Sequence, residues 1–176
     1  MCWNRSPLPA APCGWKRGRA GSWLSLAAPR ARNLDRVVGL APVKEYVLGL
    51  ADNVAAQQRR RAQGLKTSGL NMHMIFAGNP GTGKTTIARL VGSYLKAIGA
   101  LSGGQLVEVS RADLVGRYVG HTTPLTNQVI ASALGGVLFI DEAYSLYRGQ
   151  DDSFGLEAID TLVKGMEDHR DELVVI

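Results

Sequence analysis

Beyond residue 33 this sequence of 176 residues contains no cysteine, because Cys2 and Cys13 both lie near its amino terminus. A disulfide framework and a cysteine-based zinc site are therefore excluded for residues 34–176. The lack of cysteine also fits a reducing compartment, and we expect a cytoplasmic protein.

Long hydrophobic runs are missing too. No apolar run approaches the roughly 18–20 residues that a membrane-spanning helix needs, so we expect no membrane association. The composition is 45% hydrophobic and 20% charged, which is ordinary for a globular protein. The length is sufficient for one domain with a sizeable core.

Acidic residues are absent from residues 1–33, which carry six basic residues, all three tryptophans and four of the seven prolines. This segment has no helical or strand period, and we interpret it as a disordered or non-homologous basic tail. The alternative is a transit peptide, which would place the protein in an organelle. The whole chain has a formal charge of +5, but residues 34–176 carry only −1. Because a basic face should lie on the domain itself, we do not expect nucleic-acid binding.

Short apolar segments alternate with helical patterns from residue 34 onward. Helices are predicted over residues 42–63, 85–95, 126–134 and 154–169. Buried strands are predicted over residues 72–77, 106–109, 137–140 and from residue 173. Such alternation indicates a parallel sheet covered on both faces. In the last helix, the side chains expected to face the core are Leu156, Ile159, Leu162, Val163 and Met166.

Residues 78–85 match the pattern G-x-x-x-x-G-K-[ST] between a predicted strand and a predicted helix. Its glycines permit a backbone whose N–H groups surround a phosphate at the start of a helix. Lys84 would contact the β- and γ-phosphates, and Thr85 would bind Mg²⁺. We therefore predict binding of ATP with Mg²⁺; a glycine-rich turn with a chance lysine is the alternative. The predicted nucleotide-binding residues of this loop are Gly78, Asn79, Pro80, Gly81, Thr82, Gly83, Lys84, Thr85 and Thr86.

Two acids follow the predicted strand over residues 137–140. Parallel strands bring their carboxyl ends to one edge of the sheet, so Asp141 should lie beside the phosphate loop and hold Mg²⁺. Glu142 would polarise a water molecule for attack on the γ-phosphate, which favours hydrolysis over transfer to a small molecule. The predicted catalytic residues are thus Glu142 and Lys84. The alternative is a strand end capped by solvated acids.

Three stretches carry a resemblance to a known family: HMIFAGNPGTGKTT at residues 73–86, VEVSRADLVG at residues 107–116 and GVLFIDEAY at residues 136–144. They resemble the AAA+ ATPases, and in detail the CbxX/CfqX-type branch, which includes red-type rubisco activases and ATPase domains of type VII secretion accessory proteins. The likeness covers about residues 34–176. It implies an α/β P-loop NTPase sandwich of three layers, with parallel strands in the order 5-1-4-3-2. It also implies ATP hydrolysis by a ring, usually a homo-hexamer, that remodels a protein client.

Two further sites follow from this resemblance. Tyr118, Val119 and Gly120 are similar to the aromatic–aliphatic–glycine motif of a central pore loop, in which Tyr118 would grip the client peptide. A tyrosine in an ordinary surface loop is the alternative. Val38 and Gly39 are similar to the segment that contacts adenine.

The resemblance also implies parts that would come later in the chain: a polar sensor residue at the end of the fourth strand, an arginine finger, a fifth strand and a helical lid. The sequence ends at Ile176, inside the predicted fourth strand. We therefore expect a partial core domain over residues 34–176, a fragment of a longer protein, with the first strand at an edge of the sheet. Its ATPase activity should be impaired, since an arginine finger can contribute about 10³–10⁵ in rate.

Two other functions compete with a protein-remodelling ATPase. The chain could be a nucleotide-binding or interaction module without catalytic activity of its own. It could also be a P-loop kinase, although the acidic pair and the pore-loop motif argue against transfer to a small molecule. The client stays open among rubisco, a secretion substrate and a sporulation protein.

Overall fold

The computed structural model of the protein describes residues 41–65, 71–79 and 81–176. The predicted basic tail over residues 1–33 lies outside the described residues. The five helices of the described part are α1 Ala41–Ala62, α2 Lys84–Ala97, α3 Arg111–Leu114, α4 Thr122–Ala133 and α5 Ser153–Asp168. Its strands are β1 Leu106–Val109, β2 Val137–Ile140 and β3 Val174–Val175, and a 3₁₀ turn spans Ala143–Leu146.

The three strands form one parallel sheet in the order β1-β2-β3. Leu106 pairs with Val137, and Val137 pairs with Val174. Beyond the last residue of β2, the Asp141 N–H donates to the Val109 carbonyl at 2.8 Å. The carboxyl ends of β1 and β2 therefore meet at one edge, and the predicted parallel sheet is confirmed.

Helices cover both faces of this sheet. Successive side chains of a strand point to opposite faces, so the side chains of β2 contribute to two separate hydrophobic cores. Val137 and Phe139 pack with buried residues of α1 and α2, whereas Leu138 packs with buried residues of α4 and α5. The predicted sandwich of three layers, helix on sheet on helix, is thus present. None of the helices among the described residues is both long and apolar enough to cross a membrane.

The prediction of a buried strand over residues 72–77 was wrong. The segment lies beside β3, where the Met74 N–H donates to the Val175 carbonyl at 3.0 Å. The N–H of Val175 is bonded to the His73 side chain rather than to a backbone carbonyl, which interrupts a regular ladder. Met72 is buried, but 95% of Ile75 is exposed. An apolar run alone could not reveal that a side chain replaces the ladder bond.

Two details of the helices also differ from prediction. Val163 was expected to face the core, but 50% of it is exposed, and Ala158 and Gly165 are buried on α5 instead. Helix α4 begins at Thr122, four residues before the predicted start. Pro124 is tolerated there because it falls in the first turn, where its missing N–H would have no partner within the helix.

Candidate nucleotide-binding site

The phosphate loop joins residues 71–77, which have no regular secondary structure, to the start of α2. Gly81 and Gly83 have φ angles of 76° and 80°, in the left-handed region that favours glycine. The Thr82 hydroxyl donates to the Asn79 carbonyl at 2.9 Å and closes the loop on itself. Gly83 is the N-cap of α2, and its carbonyl accepts the Ile87 N–H at 3.0 Å. The N–H groups that come before that of Ile87 lie in the first turn, where a helix provides no carbonyl partner for them. Such N–H groups bind anions at helix N-termini.

Lys84 lies folded against the loop that it follows. Its Nζ donates to the carbonyl oxygens of Gly78 at 2.9 Å and Asn79 at 3.1 Å. These two bonds hold the ammonium group over the loop, where a phosphate would bind. The half-buried stem of Lys84 starts on the first residue of α2, so the helix fixes the direction of the side chain.

One cleft of about 870 Å³ contains both predicted halves of the site. Its lining includes Gly78, Lys84 and Thr85 on one side and Asp141, Glu142 and Tyr144 on the other. The volume lies in the range of about 300–1,000 Å³ that is usual for small-ligand sites. The phosphate loop and the acidic pair, which are far apart in the sequence, therefore face the same space.

The acidic pair has an unusual backbone. Glu142 has φ 49° and ψ 46°, and it is the one non-glycine residue with a positive φ in the described part of the chain. The Asp141 carboxylate accepts the Glu142 N–H at 3.0 Å, and the Glu142 carbonyl accepts the Ser145 N–H at 2.7 Å. Left-handed geometry costs a glutamate of order 1–3 kcal/mol, and such strain concentrates at functional sites.

The charge of the pair acts on the neighbouring tyrosine. The Glu142 carboxylate, with smaller contributions from desolvation and from Asp141, raises the pKa of Tyr144 above its ordinary value. The Tyr144 hydroxyl, which lines the same cleft, is a hydrogen-bond donor beside the two acids.

The residues of the cleft fit ATP and Mg²⁺ by their chemistry. A glycine-rich loop, a helix N-terminus and an ammonium group suit a polyphosphate. The Thr85 hydroxyl and the Asp141 carboxylate are oxygen donors of the kind that Mg²⁺ prefers, and Thr86 lines the same cleft. Pro80, Val38 and Gly39, also predicted as nucleotide contacts, lie outside the described residues.

The predicted pore-loop residues lie apart from this cleft, in the connection between α3 and α4. The side chains of Tyr118 and Val119 are 68% and 88% exposed, and Gly120 has a φ of 79°. The ring of Tyr118 meets the ring of His121 edge to face, with centroids 5.6 Å apart and planes at 75°. No sequence pattern indicates this contact of His121.

The residues that shape the end of β1 were not among the predicted site residues. Ser110 and Asp113 form a capping box on α3: the Ser110 N–H and hydroxyl both donate to Asp113 Oδ2, at 2.9 and 2.8 Å. These bonds lower the pKa of Asp113. The S-x-x-D spacing is a recognisable signal for such a cap. Arg111 was quoted only as part of a resemblance, and its contacts were not foreseen.

Residues 74–176 match the sequence profile of the ATPase family associated with various cellular activities (AAA). The chain belongs to this family, and its sheet and phosphate loop fit the α/β P-loop NTPase fold. Family members bind a nucleotide, usually with Mg²⁺.

Curated relatives narrow the assignment. The chain is 49% identical over 145 residues to stage V sporulation protein K of Bacillus subtilis, covering 82% of this chain and 45% of that protein. It is 44% identical over 172 residues to the chromosomal protein CbxX of Cupriavidus necator, covering 96% of this chain and 54% of that protein. It is 47% identical over 146 residues to a chloroplastic ribulose bisphosphate carboxylase/oxygenase activase of Cyanidioschyzon merolae, covering 82% of this chain and 50% of that protein. The chain is thus a CbxX-type AAA+ ATPase, and it spans about half the length of these relatives.

Proposed function

We propose that this chain binds ATP and Mg²⁺ and hydrolyses ATP as the core of a ring-forming ATPase that remodels a protein client. The observation that carries the proposal is the shared cleft. It brings the phosphate loop and the Asp141–Glu142 pair to one space. A binding module alone would not need a second acid beyond the one that serves the metal.

Each residue of the cleft has a distinct role in this proposal. The first N–H groups of α2 and the Lys84 ammonium would bind the β- and γ-phosphates of the substrate. Thr85 and Asp141 would hold Mg²⁺, which when bound supplies positive charge to the phosphate oxygens. Glu142 would accept a proton from the attacking water, whose oxygen forms a bond to the γ-phosphorus while the bond to the β–γ bridging oxygen breaks.

The client site of the proposal is the loop between α3 and α4. An exposed aromatic ring and an exposed aliphatic side chain, Tyr118 and Val119, suit contact with an extended polypeptide. Relatives include proteins named as a rubisco activase and an ESX-1 secretion system protein, which supports a protein client without identifying it. A hexameric ring of identical subunits belongs to the same proposal. The cytoplasmic location stays a prediction from the sequence.

Two substitutions test the proposal. In the full-length protein, Glu142→Gln should abolish ATP turnover while ATP binding, measured by calorimetry, persists. Lys84→Ala should abolish both, because it removes the ammonium group from the phosphate site. Unchanged turnover in Glu142→Gln would remove this residue from the mechanism. Binding without any turnover in the parent protein would instead support a nucleotide-binding module.

A further inference from the structure

A largely buried arginine joins the cleft to the segment that leads to the Tyr118 loop. Arg111 is the first residue of α3, and 18% of its side chain is exposed. Its Nη1 donates to the carbonyl oxygens of Ser145 at 3.1 Å and Leu146 at 2.9 Å. Its Nη2 donates to Asp152 Oδ1 at 3.0 Å and lies 2.7 Å from Oδ2. A guanidinium can make these contacts together because its donors form a rigid planar fork.

On one side, Arg111 holds the segment that follows the acidic pair. Ser145 and Leu146 are the last residues of the 3₁₀ turn, and Glu142 is its N-cap. Carbonyl groups at the end of a helical turn have no partner within it, and Arg111 supplies that partner. Arg111, Ser145 and Glu142 also line one cavity of about 420 Å³. Because the turn has only four residues, its anchored end restricts where Glu142 can lie.

On the other side, Arg111 begins the segment that carries Tyr118. The Leu114 carbonyl at the end of α3 accepts the Thr126 hydroxyl at 2.9 Å. The Gly116 N–H, next in the loop, donates to the Thr122 hydroxyl at 3.2 Å. Both threonines are fully buried. Helix α3, the base of the loop and the start of α4 are therefore tied together, and a displacement of α3 would carry the loop with it.

Close packing around the guanidinium couples these two sides. A Cβ atom added to Gly155 would collide with the Leu146 carbonyl and would stand 2.8 Å from Arg111 Nη1. At Gly155, the turn, the guanidinium and α5 are therefore in close contact. In such packing one element cannot shift by a fraction of an ångström without moving its neighbour.

We propose that Arg111 is a positioning residue that transmits the nucleotide state of the cleft to the Tyr118 loop. The inference rests on the proposed function. Glu142 has a strained backbone at the edge of the cleft, and relaxation of that strain on ligand binding would shift the turn that follows it. The carbonyl groups of Ser145 and Leu146 would then move the guanidinium, and α3 would move with it.

The test uses the full 176-residue chain with a fluorophore on the loop. The parent protein carries Cys2→Ser, Cys13→Ser and Val119→Cys, and the new thiol is labelled with an environment-sensitive dye. The dye emission is measured in the presence of Mg²⁺ and ADP, and separately in the presence of Mg²⁺ and a non-hydrolysable ATP analogue. Calorimetry measures the affinity of the protein for each nucleotide. We expect the emission to differ between the two nucleotides in the parent.

Arg111→Gln should remove most of that difference while the nucleotide affinities stay close to those of the parent. Its unfolding temperature should fall, because Asp152 loses the partner of a largely buried ion pair. The matched control is Arg89→Gln, at an exposed arginine of α2, which should keep the full difference. Should Arg111→Gln fail to fold, Asp152→Asn takes its place. Asparagine at this position keeps a side-chain oxygen that can accept the Gly155 N–H and cap α5. It removes the negative charge that holds Arg111, so it should reduce the difference in emission between the two nucleotides.

The outcomes separate this inference from the proposed function. A chain that binds neither nucleotide overturns both. Binding of both nucleotides with the same emission in the parent overturns the inference alone. The inference is also overturned if the full difference in emission between the two nucleotides remains in Arg111→Gln, or in Asp152→Asn if that variant is used in its place. The nucleotide state would then affect the loop by another route.

Discussion

The imidazole Nδ1 of His73 accepts the backbone N–H of Val175 at 3.0 Å, and the carbonyl of the same β3 residue accepts the Met74 N–H. A side chain therefore replaces one bond of the sheet at its edge. The acceptor role requires a nitrogen without a proton, so this bond exists only for the neutral imidazole.

The pKa of His73 is lowered from its ordinary value of 6.5, first by burial and also by the charge of Arg170, against an opposing hydrogen bond to the backbone of Met166. The unfolded chain therefore binds a proton at a higher pH than the folded chain does. We predict that the contribution of His73 to stability is complete above pH 6.5 and falls as the pH is lowered through the folded-state pKa. Thermal unfolding measured between about pH 5 and 8 checks this.

His73→Asn provides the matched variant for that experiment, because an amide oxygen can accept the same N–H without titrating. Its unfolding temperature should vary less with pH than that of the parent. His121→Asn, at the exposed histidine beside Tyr118, should retain the parent's dependence. An equal dependence in His73→Asn and the parent would contradict the prediction.

Two glycine-to-alanine changes should have opposite signs. At Gly155 an added Cβ would collide with the Leu146 carbonyl and stand 2.7 Å from Asp152 Oδ2. Overpacking of this kind costs about 1–3 kcal/mol of the free energy of unfolding. At Gly49, in the interior of α1, no atom outside the adjacent residues and the helix's own backbone lies within 4 Å of the added Cβ, so alanine should stabilise by roughly 0.5–1 kcal/mol. Urea unfolding of both variants measures the two effects, and a neutral Gly155→Ala would refute the first.

The buried hydroxyl of Thr126 should contribute to stability through Leu114. It donates to the Leu114 carbonyl at 2.9 Å, and Thr126 has no exposed surface. Thr126→Val keeps the shape and leaves that carbonyl without this donor, which should cost about 1–3 kcal/mol. Thr161→Val is the control, since the Thr161 hydroxyl bonds to the Glu157 carbonyl one turn earlier in the same helix. Equal losses in both variants would contradict the assigned role.

Asp141→Asn should weaken the effect of Mg²⁺ on ATP binding. If Asp141 holds the metal directly or through water, its loss should raise the Mg²⁺ concentration for half-maximal effect by about tenfold or more. Calorimetric titration of ATP at a series of Mg²⁺ concentrations measures this. Asp160→Asn, at an exposed acid of α5, should behave like the parent. An unchanged Mg²⁺ dependence in Asp141→Asn would exclude this carboxylate as a metal ligand.

Local patterns predicted much of the molecule. The apolar spacing in residues 85–95 predicts that Ile87, Leu90, Val91 and Tyr94 share one side of α2. Ile87, Val91 and Tyr94 are buried there, and Leu90 is half-buried. The four apolar residues before Asp141 predict β2, whose first three residues are buried. These patterns succeed because helix and strand periods depend on neighbours in the sequence.

Contacts between distant residues were not predictable in the same way. The bonds from Arg111 to Ser145 and Leu146, and from Thr126 to Leu114, depend on which elements pack side by side. The left-handed backbone of Glu142 has no sequence signal either, because glutamate rarely adopts it. The prediction of a strand over residues 72–77 failed for the same reason, because the imidazole of His73, within that segment, bonds to the distant Val175 in place of a backbone carbonyl.

The sequence by itself determined the phosphate-loop motif, the three strands β1 to β3 and the family, because each of these depends on residue types at fixed spacing. Only the tertiary structure decided that Glu142 takes a left-handed backbone and that Arg111 ties the turn after it to α3. Both features arise where strand ends and helices from distant parts of the chain meet, and contacts at such a meeting point are set by packing in three dimensions.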